Sequence, residues 1–337
     1  MLTAPPDGGR WREVELVEWA SAGPEDTPTL RDLVLGDDAA VAKACDPLRS
    51  RVDVRQERAG VRIATTSFVG RVEIGPLRIS IRPKLAPSPL ARLLRYAYGI
   101  YDLALQSELP SPLVHGGLHD LLIAILLREV EQILRLGLTR RYIRTAADLP
   151  LPRGRLDIPV IASRGGVREP RLPSIFHDRD LDWELNRVVR AGLGLAAWMA
   201  TPGPLARHAA RLEAAFAASV GNMRLMLGDV ERAEAGLNRL TAAYLPSLTL
   251  IRLLCGADGV SLEPADRTVP VAGFLFDMNR FFQRLLSRFL RENLADGRLE
   301  DERIIRDMLV YDPAANPRQR RNPRLRPDYA IFAGERL

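Results

Sequence analysis

Between residues 52 and 84 the chain repeats one pattern several times. Val52-Asp53-Val54, Val61-Arg62-Ile63, Phe68–Ile74 and Leu77–Ile81 are short runs of strand-like residues, with Ala59-Gly60 and Gly75-Pro76 in the turns. A period of two between turn residues commits this stretch to short strands with a buried face. Glu13–Glu18 alternates in the same way upstream, and a short helix is expected near Leu30–Ala44. Arg82-Pro83-Lys84 ends the series, because proline has no N–H to give to a sheet ladder. Residues 1–85 are therefore expected to form a β-rich domain.

From residue 86 the apolar period changes. Leu122, Ile125, Leu126, Val130, Ile133 and Leu134 fall on one stripe of a helix expected over Leu118–Leu136. Further helices are expected at about Leu90–Leu105, Asp182–Met199, Pro204–Ser219 and Arg239–Leu254, with a turn and short strand at Arg153–Ile158. Residues 86–270 thus read as a mostly helical middle domain. In residues 271–337, Phe274, Met278, Phe281, Phe282, Leu285, Phe289 and Leu290 are expected on one helical face, closed by Asp296-Gly297. A strand is expected at Arg303–Arg306 or Met308–Tyr311, then a Pro/Arg-rich loop, then a strand over Leu325–Phe332, with Gly334-Glu335-Arg336 as a hairpin turn. The class is α+β in three domains, a count that suits 337 residues.

The net charge of +6 mildly favours a polyanionic partner. Cys45 and Cys255 match no metal or redox spacing and read as small buried hydrophobes. The first residues have neither the basic nor the apolar region of a secretory leader, and the longest apolar run, Leu121–Leu127, is too short to span a bilayer, so no membrane association and a cytoplasmic location are expected. No Gly-x4-Gly-Lys-Ser/Thr loop is present, so no nucleotide is expected to bind this chain. Three motif mimics read as structural. Gly192-x-Gly194-x-x-Ala197 lies inside a helical pattern, where it suits close helix packing. Asp178-x-Asp180-x-Asp182 has Trp183 where a calcium loop needs glycine, and Asp180 or Asp182 suits a helix cap instead. His115 and His119 are separated by Gly116-Gly117 and lack a third ligand.

The chemistry-bearing feature is Arg326-Pro327-Asp328, followed by the alternation Tyr329–Phe332. A divalent metal that cuts phosphodiesters needs carboxylates converging from adjacent strands and a cation beside the attacking water. Asp328 is placed to be the first carboxylate, although a Pro-Asp dipeptide by itself reads as an ordinary strand-edge acid. The companion Asp/Glu-x-Lys does not occur in the 337 residues: the only lysines are Lys43 and Lys84, preceded two positions earlier by Val41 and Arg82. Arg318, Arg320, Arg321, Arg324 and Arg326, interleaved with proline and asparagine, form either a solvated loop or one that contacts phosphates of a DNA duplex.

Six separated segments together resemble the McrC family, the nuclease subunits of McrBC-type, modification-dependent restriction systems. They are Ser67-Phe68-Val69-Gly70 leading into Leu77–Leu85, Leu93–Tyr98, Arg153-Gly154-Arg155-Leu156-Asp157, Asp180–Arg187, Phe276–Gln283 and Arg326-Pro327-Asp328. The resemblance runs from about residue 60 to the end. It implies a partial PD-(D/E)xK nuclease-like domain at 271–337, in which Asp328 is a catalytic residue and a Mg²⁺ ligand. Where many family members have Phe-Glu, this chain has Phe282-Gln283. The family's second acid and lysine have no counterpart, so the nuclease domain is expected to be C-terminally incomplete. The implied partners are double-stranded DNA carrying modified cytosine and an McrB-like AAA+ GTPase hexamer, on which residues 1–85 would dock and whose GTPase they would stimulate. The implied activity is that of a Mg²⁺-dependent type IV restriction endonuclease in phage defence, with cleavage only where the domain is completed. The other readings are an inactive remnant serving as a binding and regulatory module, and an unrelated basic DNA-binding protein.

Overall fold

A computed structural model describes residues 11–36, 41–42, 45–100, 117–167, 170–256, 259–262, 271–295, 297–306, 308–312 and 320–332. In chain order the strands are β1 (Arg12–Val17), β2 (Ser21–Ala22), β3 (Val52–Glu57), β4 (Gly60–Thr65), β5 (Phe68–Ile74), β6 (Leu77–Arg82), β7 (Arg141–Leu149), β8 (Arg155–Leu156), β9 (Leu172–Asp180), β10 (Gly259–Leu262), β11 (Val271–Asp277), β12 (Arg298–Asp301) and β13 (Tyr329–Phe332). The α-helices are α1 (Pro87–Tyr98), α2 (Leu118–Leu136), α3 (Ile158–Ser163), α4 (Glu184–Met199), α5 (Pro204–Ala217), α6 (Leu227–Ala235), α7 (Leu245–Leu254) and α8 (Met278–Asn293). The protein is thus α+β, and its residues pack as two compact units: one from His119–Ala257, the other from Pro5–Leu118 together with Asp258–Leu337.

The discontinuous unit is built on a five-stranded sheet in the order β1-β6-β5-β11-β10. β1 runs parallel to β6, and the other pairs are antiparallel. The period of two read from the sequence is realised in β6, where Leu77, Ile79 and Ile81 are fully buried and the residues between them are not. Two glycines let β5 and β11 lie against each other. Gly70 has φ +140°, and a Cβ there would meet the Phe274 carbonyl oxygen at 2.1 Å; Gly273 has φ +151° and would meet the Arg71 carbonyl oxygen at 2.2 Å. Both are positions where only glycine fits the backbone. A second sheet, β2-β4-β3, and the β12-β13 pair complete the strands of this unit.

This topology corrects the expected start of the terminal segment. Val271–Asp277 is a strand, and Phe274 lies in it opposite Arg71 rather than on a helical face. The sheet hydrogen bonds of β11 to β5 put it in the N-terminal sheet, so the expected boundary at 270/271 falls where a shared sheet begins. The helix expected over Leu90–Leu105 ends at Tyr98, because Gly99 adopts a left-handed cap at φ 74° and donates to Arg95 and Tyr96 carbonyls; residues 101–105 lie outside the described residues. Near Leu30–Ala44 the described chain has helical residues at Val41, Ala42 and Cys45, preceded by a 3-10 turn at Pro28–Leu30. Beyond it the Gln56 amide accepts from the Leu35 N–H at 3.1 Å and donates to the Leu33 carbonyl at 2.9 Å, replacing the backbone bonds a helix would supply. The strand expected at Arg303–Arg306 or Met308–Tyr311 lies earlier, at Arg298–Asp301. Glu302, at φ 49°, breaks the extended backbone, and among the described residues the bridge Ile305–Leu325 continues the pairing.

The second unit contains the other expected helices; α2 has the predicted bounds, whereas the helix expected from Arg239 begins at Leu245, after a 3-10 turn at Ala242–Tyr244. It also contains a three-stranded antiparallel sheet, β7-β9-β8, which the mostly helical expectation for residues 86–270 left out apart from the short strand near Arg155. Asn186, fully buried near the start of α4, anchors this unit. Its amide donates to the Thr139 and Leu181 carbonyls at 3.0 and 2.8 Å, and Tyr244 donates to its Oδ1 at 2.9 Å. Every polar atom of this buried amide group is thereby used.

Candidate active site

The site is assembled at the C-terminal end of the chain by one helix and two short strands. Asp277 caps α8 by accepting from the Asn279 N–H at 2.9 Å. From that start Met278, Phe281 and Leu285 turn inward, and Gln283 and Arg284 come out on the other side of the helix. β13 begins one residue after Asp328, and its Tyr329 pairs with Asp301 of β12. The Glu302 N–H donates to the Asp328 carbonyl at 3.1 Å, so Asp301, Glu302 and Asp328 sit at the same end of the strand pair.

Side chains join the strands to the helix. Gln283 Nε2 donates to Asp328 Oδ1 at 2.8 Å, and the Tyr329 hydroxyl donates to the Gln283 carbonyl at 2.8 Å. Ser287 Oγ lies 2.8 Å from both oxygens of Asp301, and Arg291 pairs with the same carboxylate. Glu302 pairs with Arg326. Burial first, then the Asp328 and Asp301 carboxylates, push the Tyr329 hydroxyl above the usual tyrosine range. The result is an open cleft of about 630 Å³ whose lining includes Arg280, Gln283, Arg284, Asp301, Glu302 and Asp328.

Asp328 is exposed and stands in this cleft. Of the arginines singled out beside it, Arg326 reaches the site through Glu302, whereas Arg321 and Arg324 are exposed and Arg320 is exposed at the edge of the described loop. Arg318 lies outside the described residues. The sequence reading missed Asp301, Glu302, Ser287 and Arg291. The one signal for the two acids is the run Glu300-Asp301-Glu302, at the end of a strand that the sequence pattern places further on.

A magnesium ion needs several oxygen ligands in octahedral geometry. Asp328 offers a carboxylate and Gln283 an amide beside it, while Asp301 and Glu302 are engaged by cationic partners. Among the described residues no three His, Cys, Asp or Glu side chains converge as a metal site. The described residues therefore do not by themselves form a metal cage.

Other singled-out residues have structural roles. Asp182 does not cap α4, whose N-cap residue Trp183 makes no side-chain cap bond. Its carboxylate instead takes two bonds from the Arg187 guanidinium, at 2.7 and 2.8 Å, and one from the Gly221 N–H at 2.6 Å. Those donors, Arg187 foremost, hold it down to about 2. A Cβ on Gly192 would meet Ile251 Cδ1 at 2.4 Å, the close helix contact the sequence suggested. His119 is buried beside Asp120, and His115 lies outside the described residues. Cys45 is buried and Cys255 half-buried, and burial pushes both thiols up to about 11. No described helix is long and apolar enough to cross a membrane.

A family model described as McrBC 5-methylcytosine restriction system component matches residues 63–333. Among solved structures, the fold is similar to that in a refined half-complex from the tetradecameric assembly of Thermococcus gammatolerans McrB AAA+ hexamers with bound McrC. That likeness has a TM-score of 0.58 at 17% identity, over 95% of this chain and 77% of that one. It is also similar to a chain in the cryo-EM structure of the Thermococcus gammatolerans McrBC complex, with a TM-score of 0.54 at 20% identity, over 85% of this chain and 89% of that one. No curated relative matches the chain.

Proposed function

Because the chain belongs to the McrBC 5-methylcytosine restriction system component family and is a McrC-type protein, we propose that it is the McrC-like subunit of a GTP-dependent restriction system acting on DNA with modified cytosine. In this reading it docks on an McrB-like AAA+ GTPase hexamer and stimulates its turnover. Asp328 is the first carboxylate of a PD-(D/E)xK-type site. The observation that carries the reading is the Gln283–Asp328 contact. It puts the Pro-Asp carboxylate against the helix residue that the McrC resemblance marks as the supporting position, inside an arginine-lined cleft.

The roles of the chain's own residues follow from their contacts. Gln283 holds the Asp328 carboxylate by one charge-assisted bond and leaves its other oxygen to the cleft. Tyr329, tied to the Gln283 carbonyl, fixes the distance between helix and strand. Arg280 and Arg284 supply positive charge for the phosphodiester. Mg²⁺, when bound, would supply Lewis acidity and an activated water, with Asp328 as its ligand here; a second acid would be a further ligand, and a lysine would assist hydrolysis.

A second reading is a docking and regulatory module with no cleavage of its own. It is favoured by the engagement of Asp301 and Glu302 with Arg291 and Arg326, which leaves neither acid poised toward Asp328. One experiment separates the two. The folded chain is mixed with its cognate McrB-like ring, GTP, Mg²⁺ and duplex DNA carrying 5-methylcytosine, with GTP turnover and DNA ends both measured. Stimulated turnover with cleavage that Asp328→Ala abolishes supports the nuclease reading. Stimulated turnover without cleavage supports the docking module. No change in turnover, with both proteins folded, defeats the docking claim common to both.

A further inference from the structure

Residues 140–180 hold nine arginines against Asp148, Asp157, Glu169, Asp178 and Asp180, a net of +4 where the whole chain carries +6. Much of the excess charge thus falls on and beside the segment that forms β7, β8 and β9. The register then sorts the residues by face. Tyr142 stands opposite Arg179, Arg144 opposite His177, and Arg155 opposite Ile175. Directly opposed residues, and residues two apart along a strand, share a face. Tyr142, Arg144, Arg155, His177 and Arg179 therefore lie on one side of the sheet, and all five are exposed.

The acids do not neutralise this side. Asp178 and Asp180 lie on the opposite face, where Asp178 is taken by Arg153 at 3.0 Å. Asp148 shares the basic face but lies toward the other end of β7, paired with Arg164 at 2.9 Å. Arg179 is held over the Tyr142 ring at 5.4 Å, so part of the face is ordered by a cation–π contact rather than by an acid. A solvated loop would spread its charge. A sheet instead fixes several guanidinium groups on one rigid surface, together with an exposed aromatic ring.

We propose that this face of the β7-β9-β8 sheet is a nucleic-acid platform, whose arginines contact the phosphate backbone of DNA. The proposal stands apart from the Asp328 cleft and from the Arg318–Arg326 loop, and it concerns binding rather than cleavage. A backbone contact of this kind releases counterions, so log affinity falls with log salt by about 0.9 for each phosphate neutralised on duplex DNA and about 0.7 on single strands. An aromatic ring among arginines also gives a base somewhere to stack, which favours single strands when it is used.

The test measures binding of fluorescent duplex and single-stranded DNA to the full chain by anisotropy over a series of salt concentrations. The variants are Arg144→Ala/Arg155→Ala/Arg179→Ala, Tyr142→Ala, and Arg320→Ala/Arg321→Ala/Arg324→Ala for the loop. The triple sheet variant is expected to fold normally, to bind duplex DNA at least about tenfold more weakly at moderate salt, and to lose about 0.9 of salt slope per contact removed. Loss in Tyr142→Ala confined to single-stranded DNA assigns the ring to base stacking. Unchanged affinity and slope in the sheet variant, with binding lost in the loop variant, overturns the proposal. Unchanged DNA binding with loss of GTPase stimulation also overturns it, and assigns the face to the protein partner. Because GTP turnover with the ring is scored on the same variants, failure of the platform is distinguishable from failure of the McrC-like reading.

Discussion

The five-stranded sheet and the β12-β13 pair belong to the same compact unit but are held together by different physics. In the first, Val69, Val72, Ile74, Leu77, Ile79 and Ile81 are fully buried, and the inner strands pair along their whole length. In the second, Ala330 and Phe332 are buried while Ile331 is 41% exposed. Three of its links to α8 are polar: Tyr329 to the Gln283 carbonyl, Ser287 to Asp301, and Gln283 to Asp328. α8 serves both regions. Phe281 packs toward Phe276 of β11 with ring centroids 6.1 Å apart, while Gln283 and Arg284 line the cleft. The difference teaches that burial sets the scaffold while the candidate chemistry sits on a thin, polar extension of it. Mutations should therefore divide into those that unfold and those that only disarm.

The largest effect is expected at Gly70. Valine there must adopt φ +140° and place its Cβ 2.1 Å from the Phe274 carbonyl, so the β5–β11 pairing has to open. We expect Gly70→Val to cost more than about 4 kcal/mol, seen as a collapse of the urea midpoint or as insoluble protein. A variant with a near-normal midpoint would remove this sheet's claim to be the scaffold.

Phe281→Ala should come next, at about 3–5 kcal/mol, because a fully buried ring is replaced by a cavity. Asp328→Ala should sit at the other extreme, within about 1 kcal/mol of the parent by denaturant melt, as expected for an exposed side chain. If the nuclease reading holds, the same variant keeps its stimulation of GTP turnover and loses DNA cleavage in the assembled complex. Equal destabilisation by the two variants would erase the contrast between scaffold and site.

Gln283→Glu tests the extension more finely. It replaces the amide donor 2.8 Å from Asp328 with a second carboxylate. Two like charges at that distance oppose each other until a cation is shared. We expect slightly lower stability without metal and tighter Mg²⁺ or Mn²⁺ binding by calorimetry. Unchanged metal binding would mean that the two side chains do not face a common ion position.

These contrasts also explain what was legible in the sequence. β3 to β6 were readable because one buried face imposes a period of two, and the turn glycines and proline marked the breaks. β11 was not: Val271–Asp277 is almost wholly apolar and runs straight into an apolar helix, so nothing in the sequence marks where Phe274 stops being strand and Met278 starts being helix. β7 and β9 were hidden for the opposite reason, since Arg, Thr and Asp dilute their alternation on a largely exposed sheet. In the site, Pro327 advertised Asp328. Asp301 and Glu302 had no such marker, because their place depends on where Glu302 turns the backbone at φ 49°. Gln283 was visible only as a departure from the McrC pattern, and its contact with Asp328 depends on packing across 45 residues.

The smallest effect is expected where α1 clamps α8, between the two regions. The Tyr96 hydroxyl donates to Glu292 Oε2 at 2.6 Å, and Arg288 bonds the same carboxylate at 2.8 Å. The Tyr96 bond first, then Arg288, holds the Glu292 carboxyl below the usual range, and the bond to Glu292 pushes the Tyr96 hydroxyl above its own. A lowered carboxyl contributes stability that is complete above its unfolded value and is lost as pH falls through the folded one. A raised phenol contributes below its unfolded value and is lost as pH rises through the folded one. The clamp is therefore intact between the two titrations. Both groups are solvent-screened, so Tyr96→Phe should lower Tm by only about one degree near pH 7, with the difference closing in acid as Glu292 is protonated. If the difference persists in acid, the contribution of Tyr96 comes from its ring under the Arg288 guanidinium, 5.1 Å from the centroid, rather than from the bond to Glu292. That outcome would move the clamp from the polar extension to the packed scaffold, because a ring contact does not titrate with a carboxylate.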